Sequence, residues 1–183
     1  MLPLVYGLTF AWLAYVCWQS HVTAHKTVAL ASVFIALQNW ALSPLIGLPQ
    51  DHVGMLMLSN CANYISLPLI ALAVLHYGLA WQWQTATWGR IFLGLAASFE
   101  LGRRTGLNAD YLLVIIGLWV AVLVTSAGLF ARQWNNIQRL VLAICGLYLA
   151  WMLYRHGPFN MAQVMYAAQA TALVALLIIY WRK

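Results

Sequence analysis

Residues 111–131 read YLLVIIGLWVAVLVTSAGLFA, a run of aliphatic and aromatic side chains without one Asp, Glu, Lys or Arg. An α-helix rises about 1.5 Å per residue, so roughly 20 apolar residues cross a hydrocarbon core about 30 Å thick. This run therefore predicts a transmembrane helix. Charge is also missing from residues 1–25, 27–50, 52–89 and 156–181, and each of these stretches is long enough to cross a bilayer.

The composition of the whole chain gives the same indication. Of its 183 residues, 64% are hydrophobic and 7% are charged, whereas an ordinary globular protein is about 25% charged. A soluble domain is excluded, because a surface that faces water needs more polar side chains. The net charge of +6 comes from basic residues scattered between apolar runs. Without a basic patch, nucleic acid is excluded as a partner, and the lipid bilayer is the expected surroundings.

Turn signals and polar clusters divide the chain into seven predicted spans. They lie near residues 2–18, 28–47, 54–77, 86–103, 111–130, 138–155 and 161–181. The fourth contains Arg90 and ends in a charged cluster, so six crossings are the alternative. The sequence predicts an all-α, polytopic transmembrane helix bundle that forms a single integral membrane domain over residues 1–183.

The basic residues give an orientation through the positive-inside rule. With seven spans and the N-terminus outside, six basic residues fall inside and three fall outside. The inner set is Lys26, Arg90, Arg132, Arg139, Arg182 and Lys183. Most interfacial tryptophans fall at the same inner ends, as an aromatic belt requires. We expect a cytoplasmic C-terminus, in a bacterial inner membrane.

Four tryptophans remain near the middle of predicted spans, and they form two pairs. Trp12 precedes Trp119 by 107 residues, and Trp40 precedes Trp151 by 111 residues. The spacing predicts parallel repeats over 1–80 and 108–183, joined by a linking helix over 86–103. Such repeats are found in transporters, whose substrate site lies between the halves. The alternative is that apolar helices resemble one another by chance.

Amide side chains occur inside several predicted spans. An unpaired amide in an apolar medium costs roughly 2–7 kcal/mol, so these groups are expected to face protein or water. Asn60 and Asn63 are three residues apart and share a helix face. We predict a substrate-binding set in which amides bond the solute and tryptophans stack on it. The set comprises Trp40, Asn63, Trp151, Gln169, Asn39 and Asn60. Packing contacts between helices are the alternative for each residue.

Glu100 and the histidines are the ionisable residues considered for proton coupling and for metal or haem binding. Glu100 is the one acid inside a predicted span, which makes it a candidate for proton coupling. Arg103 and Arg104 follow within one helical turn, so an interfacial ion pair is the alternative. No cofactor is expected. A haem or zinc site would need histidines at matched depth, and the set to consider is His21, His25 and His76.

The end of the chain carries a family resemblance. Trp151 and Tyr154 stand three residues apart, a loop with Pro158 and Asn160 follows, and Gln169 lies in the last span. Residues 146–183 thereby resemble the last two helices of the SWEET and SemiSWEET sugar facilitators, although the Pro-Gln signature of that family is absent. The resemblance implies a three-plus-one-plus-three bundle. It also implies that Trp151 and Gln169 contact substrate, with Trp40 and Asn63 as their first-half counterparts.

These observations predict a facilitator or transporter of a small polar solute, working by alternating access between two three-helix halves. Covalent chemistry is not implied, so an enzyme is the less favoured class. The alternative is a non-catalytic membrane subunit or sensor module that binds a protein partner, a lipid or a quinone. A homo-oligomer or a membrane complex is compatible with either function.

Overall fold

A computed structural model describes residues 2–20, 22–43, 46, 49, 52–81, 83–157 and 160–180. Within these ranges the chain forms seven helices and no strand. The helices are α1 (Leu2–Trp18), α2 (Thr23–Ala41), α3 (Val53–Gly78), α4 (Thr85–Arg104), α5 (Ala109–Phe130), α6 (Asn136–His156) and α7 (Met161–Tyr180). The prediction of an all-α bundle of seven helices is confirmed.

Four of the described helices are long and apolar enough to cross a membrane, namely α3, α5, α6 and α7. The chain is therefore a multi-pass integral membrane protein. Helix α1 is equally apolar in character but has 17 residues. Helices α2 and α4 are more polar, because α2 begins with His25 and Lys26 in its first turns and α4 contains Arg90 and a charged end.

The ends of α2 differ from the predicted span 28–47. The helix begins at Thr23 and ends at Ala41. Its polar first turns are compatible with helix geometry, and the sequence pattern wrongly placed them in a loop. At the other end, the Ser43 hydroxyl donates a 2.6 Å hydrogen bond to the Trp40 carbonyl. Ser43 also precedes Pro44 in the sequence, and a residue before proline is biased out of the helical region.

The described helices group into two compact units, Met1–Leu69 and Ile70–Lys183. In the first unit α1 packs along α2, and α2 also contacts α3. Helices α1 and α2 run antiparallel, because a short loop joins Trp18 to Thr23 while Gly7 meets Trp40 at the other end. The Trp40 indole lies directly over Gly7, where a Cβ would collide with it.

In the second unit, α5 and α6 form the most extensive helix pair, and α7 packs on both. Glycine permits the close approach. A Cβ on Gly128 would come closer than 3.0 Å to backbone atoms of Arg139 and Ala143, and one on Gly146 would do the same at Thr125. The contact is secured by Arg139, whose guanidinium donates to the carbonyls of Gly128 and Leu129 at the end of α5.

Small residues four positions apart in the sequence, Gly94 with Ser98 and Ala168 with Ala172, predict places where helices approach closely. Ala168 and Ala172 are buried. The expectation for Gly94 is wrong, because a Cβ there would have no described atom outside its own helix within 4 Å. Both Gly94 and Ser98 are exposed. The repeat of residues 1–80 and 108–183 around a linking helix stays a prediction.

Candidate functional site

Polar side chains are concentrated inside the first unit. Among the described residues nine polar side chains are buried, and six of them belong to this unit. Those six are Ser32, Gln38, Asn39, Ser43, Asn63 and Ser66. Because each unpaired polar group in an apolar medium costs roughly 2–7 kcal/mol, such a concentration needs a specific arrangement of partners. It defines the region to consider as a site.

The centre of this region is the hydroxyl of Ser59 on α3. The Gln38 Nε2 on α2 donates to Ser59 Oγ at 3.1 Å, and Asn63 Nδ2 donates to the same oxygen at 3.2 Å. A serine hydroxyl has two acceptor lone pairs and one proton. With both lone pairs engaged, Ser59 can take part in one more hydrogen bond only as a donor. We refer to Gln38, Ser59 and Asn63 as the amide–hydroxyl triad.

Helix α3 changes its hydrogen-bond pattern in the segment that carries Asn63 of the triad. Residues Cys61–Ser66 form a π-helical segment, in which the Leu67 amide bonds to the carbonyl of Ala62, five residues earlier. The Ser66 hydroxyl also donates to the Cys61 carbonyl at 2.9 Å. The cause is Pro68, which has no amide hydrogen and whose ring would crowd the carbonyl four residues before it. Single π turns occur frequently at functional sites.

Two further predicted residues flank the triad. Asn39 is fully buried on α2, and its Nδ2 donates to the Ile35 carbonyl of the same helix at 2.9 Å. Asn60 is half-buried, three residues before Asn63.

Two helical turns before Asn39 lies Ser32, whose fully buried hydroxyl has no hydrogen-bond partner among the residues that the structure describes. That polar atom is suited to a solute or a water molecule.

Trp40 is half-buried on a different side of α2 from the triad. Its indole packs on Gly7 of α1 and lines a groove between α1 and α2. The structure therefore brings together Asn63 with Gln38 and Ser59, and it places Trp40 against α1. Stacking of Trp40 on a solute stays a prediction.

The two predicted residues of the second unit have different environments. Gln169 on α7 is fully buried, whereas the side chain of Trp151 on α6 is 47% exposed. Trp151 lies beside Tyr148, with 6.0 Å between their ring centroids, and the Arg155 guanidinium lies over the Trp151 ring, 5.3 Å from its centroid. Near Gln169, the hydroxyl of Thr171 donates to the Cys145 carbonyl of α6 at 3.5 Å. Substrate contact by Trp151 and Gln169 stays a prediction.

Glu100 is held in an ion pair with both arginines that follow it. Arg103 donates to the carboxylate from Nε at 2.9 Å and from Nη2 at 2.8 Å, and Arg104 Nε donates at 2.8 Å. All three side chains are well exposed. This is the ion pair that the sequence offered as the alternative to proton coupling. Hydrogen bonds from two guanidinium groups stabilise the ionised carboxylate.

The two described histidines considered for haem or zinc have different surroundings. His25 Nδ1 is 2.7 Å from the Ser20 hydroxyl, and His76 is enclosed by aromatic rings. His21 lies outside the described residues. Over the part of the chain that the structure describes, no three His, Cys, Asp or Glu side chains are grouped closely enough to hold a metal ion.

His76 lies in a cluster of tryptophans, which are among those that the sequence pattern places in an interfacial belt at the inner ends of the spans. Trp83 and Trp88 each have a ring centroid 5.4 Å from that of His76, and they are 5.2 Å from one another. Trp134 packs close to Gly78, the last residue of α3. Trp88 and Trp134 are buried. These tryptophans join the end of α3 to α4 and to the α5–α6 loop.

Sequence reasoning left Gln38, Ser59 and Ser32 out of the predicted binding set. The sequence held one signal for Ser59: it stands four residues before Asn63, which places the two side chains on one helix face.

Comparisons of the chain with protein-family models, with curated proteins and with solved structures find no match.

Proposed function

We propose that the protein is a facilitator or transporter of a small polar solute, and that the buried polar side of α2 and α3 supplies the hydrogen bonds to that solute. One observation carries the proposal. The buried side chains of Gln38 and Asn63 both donate to the partly buried hydroxyl of Ser59 in the first unit. This arrangement leaves the Ser59 proton as a donor for a further oxygen atom.

Packing between helices does not account for the hydroxyl of Ser32, which is fully buried. A polar contact between membrane helices contributes about 0.6 kcal/mol on average, whereas a buried polar group left without a partner costs roughly 2–7 kcal/mol. The unpartnered hydroxyl of Ser32 adds a buried group whose burial no described contact offsets. A bound solute would supply the missing partner, so these groups favour a site over a purely structural role.

The chemistry of the polar set indicates the class of solute. It consists of amides and hydroxyls, and none of its six buried members carries a charge. Such a set suits a neutral solute rich in hydroxyl groups, such as a sugar or another polyol. The resemblance of residues 146–183 to sugar facilitators favours the same class. In this mechanism the side chains orient and release the solute, and no covalent bond changes.

Alternating access requires a place where a helix can bend. We assign this role to the π segment Cys61–Ser66, which contains Asn63 and ends two residues before Pro68. A π turn already departs from regular α-helical hydrogen bonding, so a small change there alters the direction of the flanking turns. Asn63 would move with this segment, which couples bending to the hydrogen bonds of the triad.

The proposed location is a bacterial inner membrane, with the N-terminus outside and the C-terminus in the cytoplasm. The distribution of Lys26, Arg90 and Arg132 against Arg103 and Arg104 supports this orientation. Accessibility labelling of single cysteines, placed in a variant whose natural cysteines are replaced, tests it at the two termini. Labelling of the C-terminus in intact cells by an impermeant reagent would contradict the orientation.

The test of function is uptake of radiolabelled neutral sugars and polyols by liposomes that contain the purified protein. We expect at least one solute to enter faster than into empty liposomes, with saturation as its concentration rises. Ser59→Ala should slow this uptake, and Gln163→Ala, which changes an exposed amide on α7, should leave it unchanged. Uptake equal to that of empty liposomes across the panel would contradict the proposal.

A second candidate function is favoured by the exposed side of α6. Tyr148, Trp151 and Tyr154 follow one another at intervals of three residues, and Tyr154 is 91% exposed. Aromatic side chains of this kind are enriched at protein interfaces. A non-catalytic subunit would use this side to bind a membrane protein. Copurification of a stoichiometric partner, lost in Trp151→Ala, would support that function in place of transport.

A further inference from the structure

A groove of about 310 Å³ runs along the outer side of the α1–α2 pair, away from the amide–hydroxyl triad. Its volume is at the lower end of the range for ligand pockets, about 300–1,000 Å³. Small alanine side chains form its floor, and larger apolar or aromatic side chains form its walls. The lining residues include Ala11, Ala29, Val33, Leu37, Trp18 and Trp40.

The length of the groove matches one leaflet of a bilayer. On α2 its lining extends from Ala29 to Trp40, which at about 1.5 Å per residue corresponds to roughly 16 Å. Half of a hydrocarbon core about 30 Å thick is about 15 Å. A partner helix that crosses the membrane would continue well beyond such a groove, whereas a single acyl chain would fit within it.

One end of the groove is basic. Lys26 precedes the groove-lining residues Leu30, Val33 and Leu37 by four, seven and eleven residues, so it lies on the same side of α2. Lys26 is exposed, and Trp18 is exposed at the same end of the helix pair. The sequence contains no Asp or Glu before residue 51. The charge at this end therefore complements an anionic group.

We propose that this groove binds one acyl chain of an anionic phospholipid, with the Lys26 ammonium pairing with the phosphate. Trp18 at the same end suits the headgroup region, where tryptophan is enriched. The site lies on a different side of α2 from the triad, and it does not depend on transport. Lipid binding can therefore be measured whether or not a transported solute is found.

The experiment is native mass spectrometry of the delipidated protein in detergent, titrated with phosphatidylglycerol or phosphatidylcholine of equal chain length. We expect one high-affinity phosphatidylglycerol, bound at least about fivefold more tightly than phosphatidylcholine, because an anionic headgroup gains the attraction of a lysine. Lys26→Gln should remove this preference, while Arg132→Gln, which changes an exposed arginine of the α5–α6 loop, should preserve it.

A second pair of variants tests the groove itself. Val33→Trp places a large side chain at the exposed rim of the groove, and it should weaken binding of both lipids about tenfold or more. Its matched control is Val122→Trp on the exposed side of α5, which should bind as the wild type does. Ala11→Phe fills the groove from α1 and should repeat the effect of Val33→Trp.

Several outcomes would overturn the proposal. These are equal binding of the two lipids by the wild type, unchanged binding in both groove-filling variants, or loss of the preference in Arg132→Gln. A dimer that Val33→Trp converts to a monomer would instead identify a second copy of the chain as the occupant. A copurified quinone displaced by the same substitution would identify a different ligand.

Discussion

The side-chain amide of Gln38 on α2 donates a 3.1 Å hydrogen bond to the hydroxyl of Ser59 on α3, joining two helices of the first unit through partly buried polar atoms. Asn63, one turn after Ser59, donates to the same oxygen at 3.2 Å. Two amides are thus oriented by one hydroxyl. Removing that hydroxyl affects both amides together, which makes Ser59 the most informative position in the triad.

Ser59→Ala should destabilise the protein by about 1–3 kcal/mol, because it deprives two buried donors of their shared acceptor. Ser59→Thr keeps the hydroxyl and should cost less. Equilibrium unfolding in mixed micelles with increasing denaturing detergent measures both changes. If Ser59→Ala is as stable as the wild type, the triad is not an organised network.

Gly128→Ala should destabilise the α5–α6 contact by about 1–3 kcal/mol, since the added methyl collides with backbone atoms of Arg139 and Ala143, which have little freedom to move. The matched control is Gly94→Ala on α4. There the methyl has free space, and replacing a helical glycine stabilises by up to about 1 kcal/mol. If the two substitutions changed Tm equally, the close contact of α5 with α6 at Gly128 would be contradicted.

Arg139 should stabilise the folded protein through its hydrogen bonds, in addition to carrying a positive charge at the proposed inner side of the membrane. Its guanidinium bonds to the carbonyls of Gly128 and Leu129, and hydrogen bonds to charged groups contribute about 1.5–3 kcal/mol. Arg139→Gln should therefore lower Tm clearly. Arg132→Gln removes the same charge from an exposed position and should leave Tm nearly unchanged. A similar loss in both variants would show that charge alone is responsible.

Pro68→Ala should restore regular α-helical hydrogen bonding over Cys61–Ser66, because it returns the missing amide hydrogen and removes the clash of the proline ring. We expect slower hydrogen exchange in this segment, unchanged or higher Tm, and slower solute uptake. Hydrogen exchange reports the rigidity of the segment and Tm reports the stability of the fold, so the cause of a change in uptake can be identified. Unchanged uptake together with slowed exchange would exclude the π segment as the bending element.

The helices themselves could be predicted from the sequence because charge-free apolar runs have few alternatives in a membrane. The predicted span 2–18 coincides with α1, and 54–77 differs from α3 by one residue at each end. The start of α2 was placed too late. His25 and Lys26 resemble a loop in a hydropathy profile, yet both lie at the start of α2, where Lys26 is exposed and the His25 ring contacts the Ser20 hydroxyl.

The contacts between the polar side chains of the site were harder to predict from the sequence than the helices. Asn63 and Gln169 were correctly expected to avoid lipid, because an amide has a defined solvation cost, and both are buried. Which amide meets which hydroxyl depends on the rotation of α2 against α3, and the sequence does not specify that rotation. The π segment also changes the phase of the residues after Cys61, which a regular helical period does not predict.

The contact that Trp40 makes, on the other side of α2, could not be predicted from the sequence either. A tryptophan in the middle of a span suits both a stacking surface and a helix contact. Gly7 decides its position, because only glycine leaves space for an indole at that distance from the α1 backbone. The pairing of a tryptophan with a glycine thirty-three residues earlier has no signature in a single sequence.

The initial rate of solute uptake by liposomes containing Asn63→Ala, compared at equal protein content with Gln163→Ala, tests the central claim most directly. Both substitutions remove an amide, but Asn63 is buried in the triad and Gln163 is exposed. We predict that Asn63→Ala reduces saturable uptake at least tenfold in protein that remains folded by thermal unfolding. Equal rates for the two variants, at the level of the wild type, would contradict a solute site at the triad.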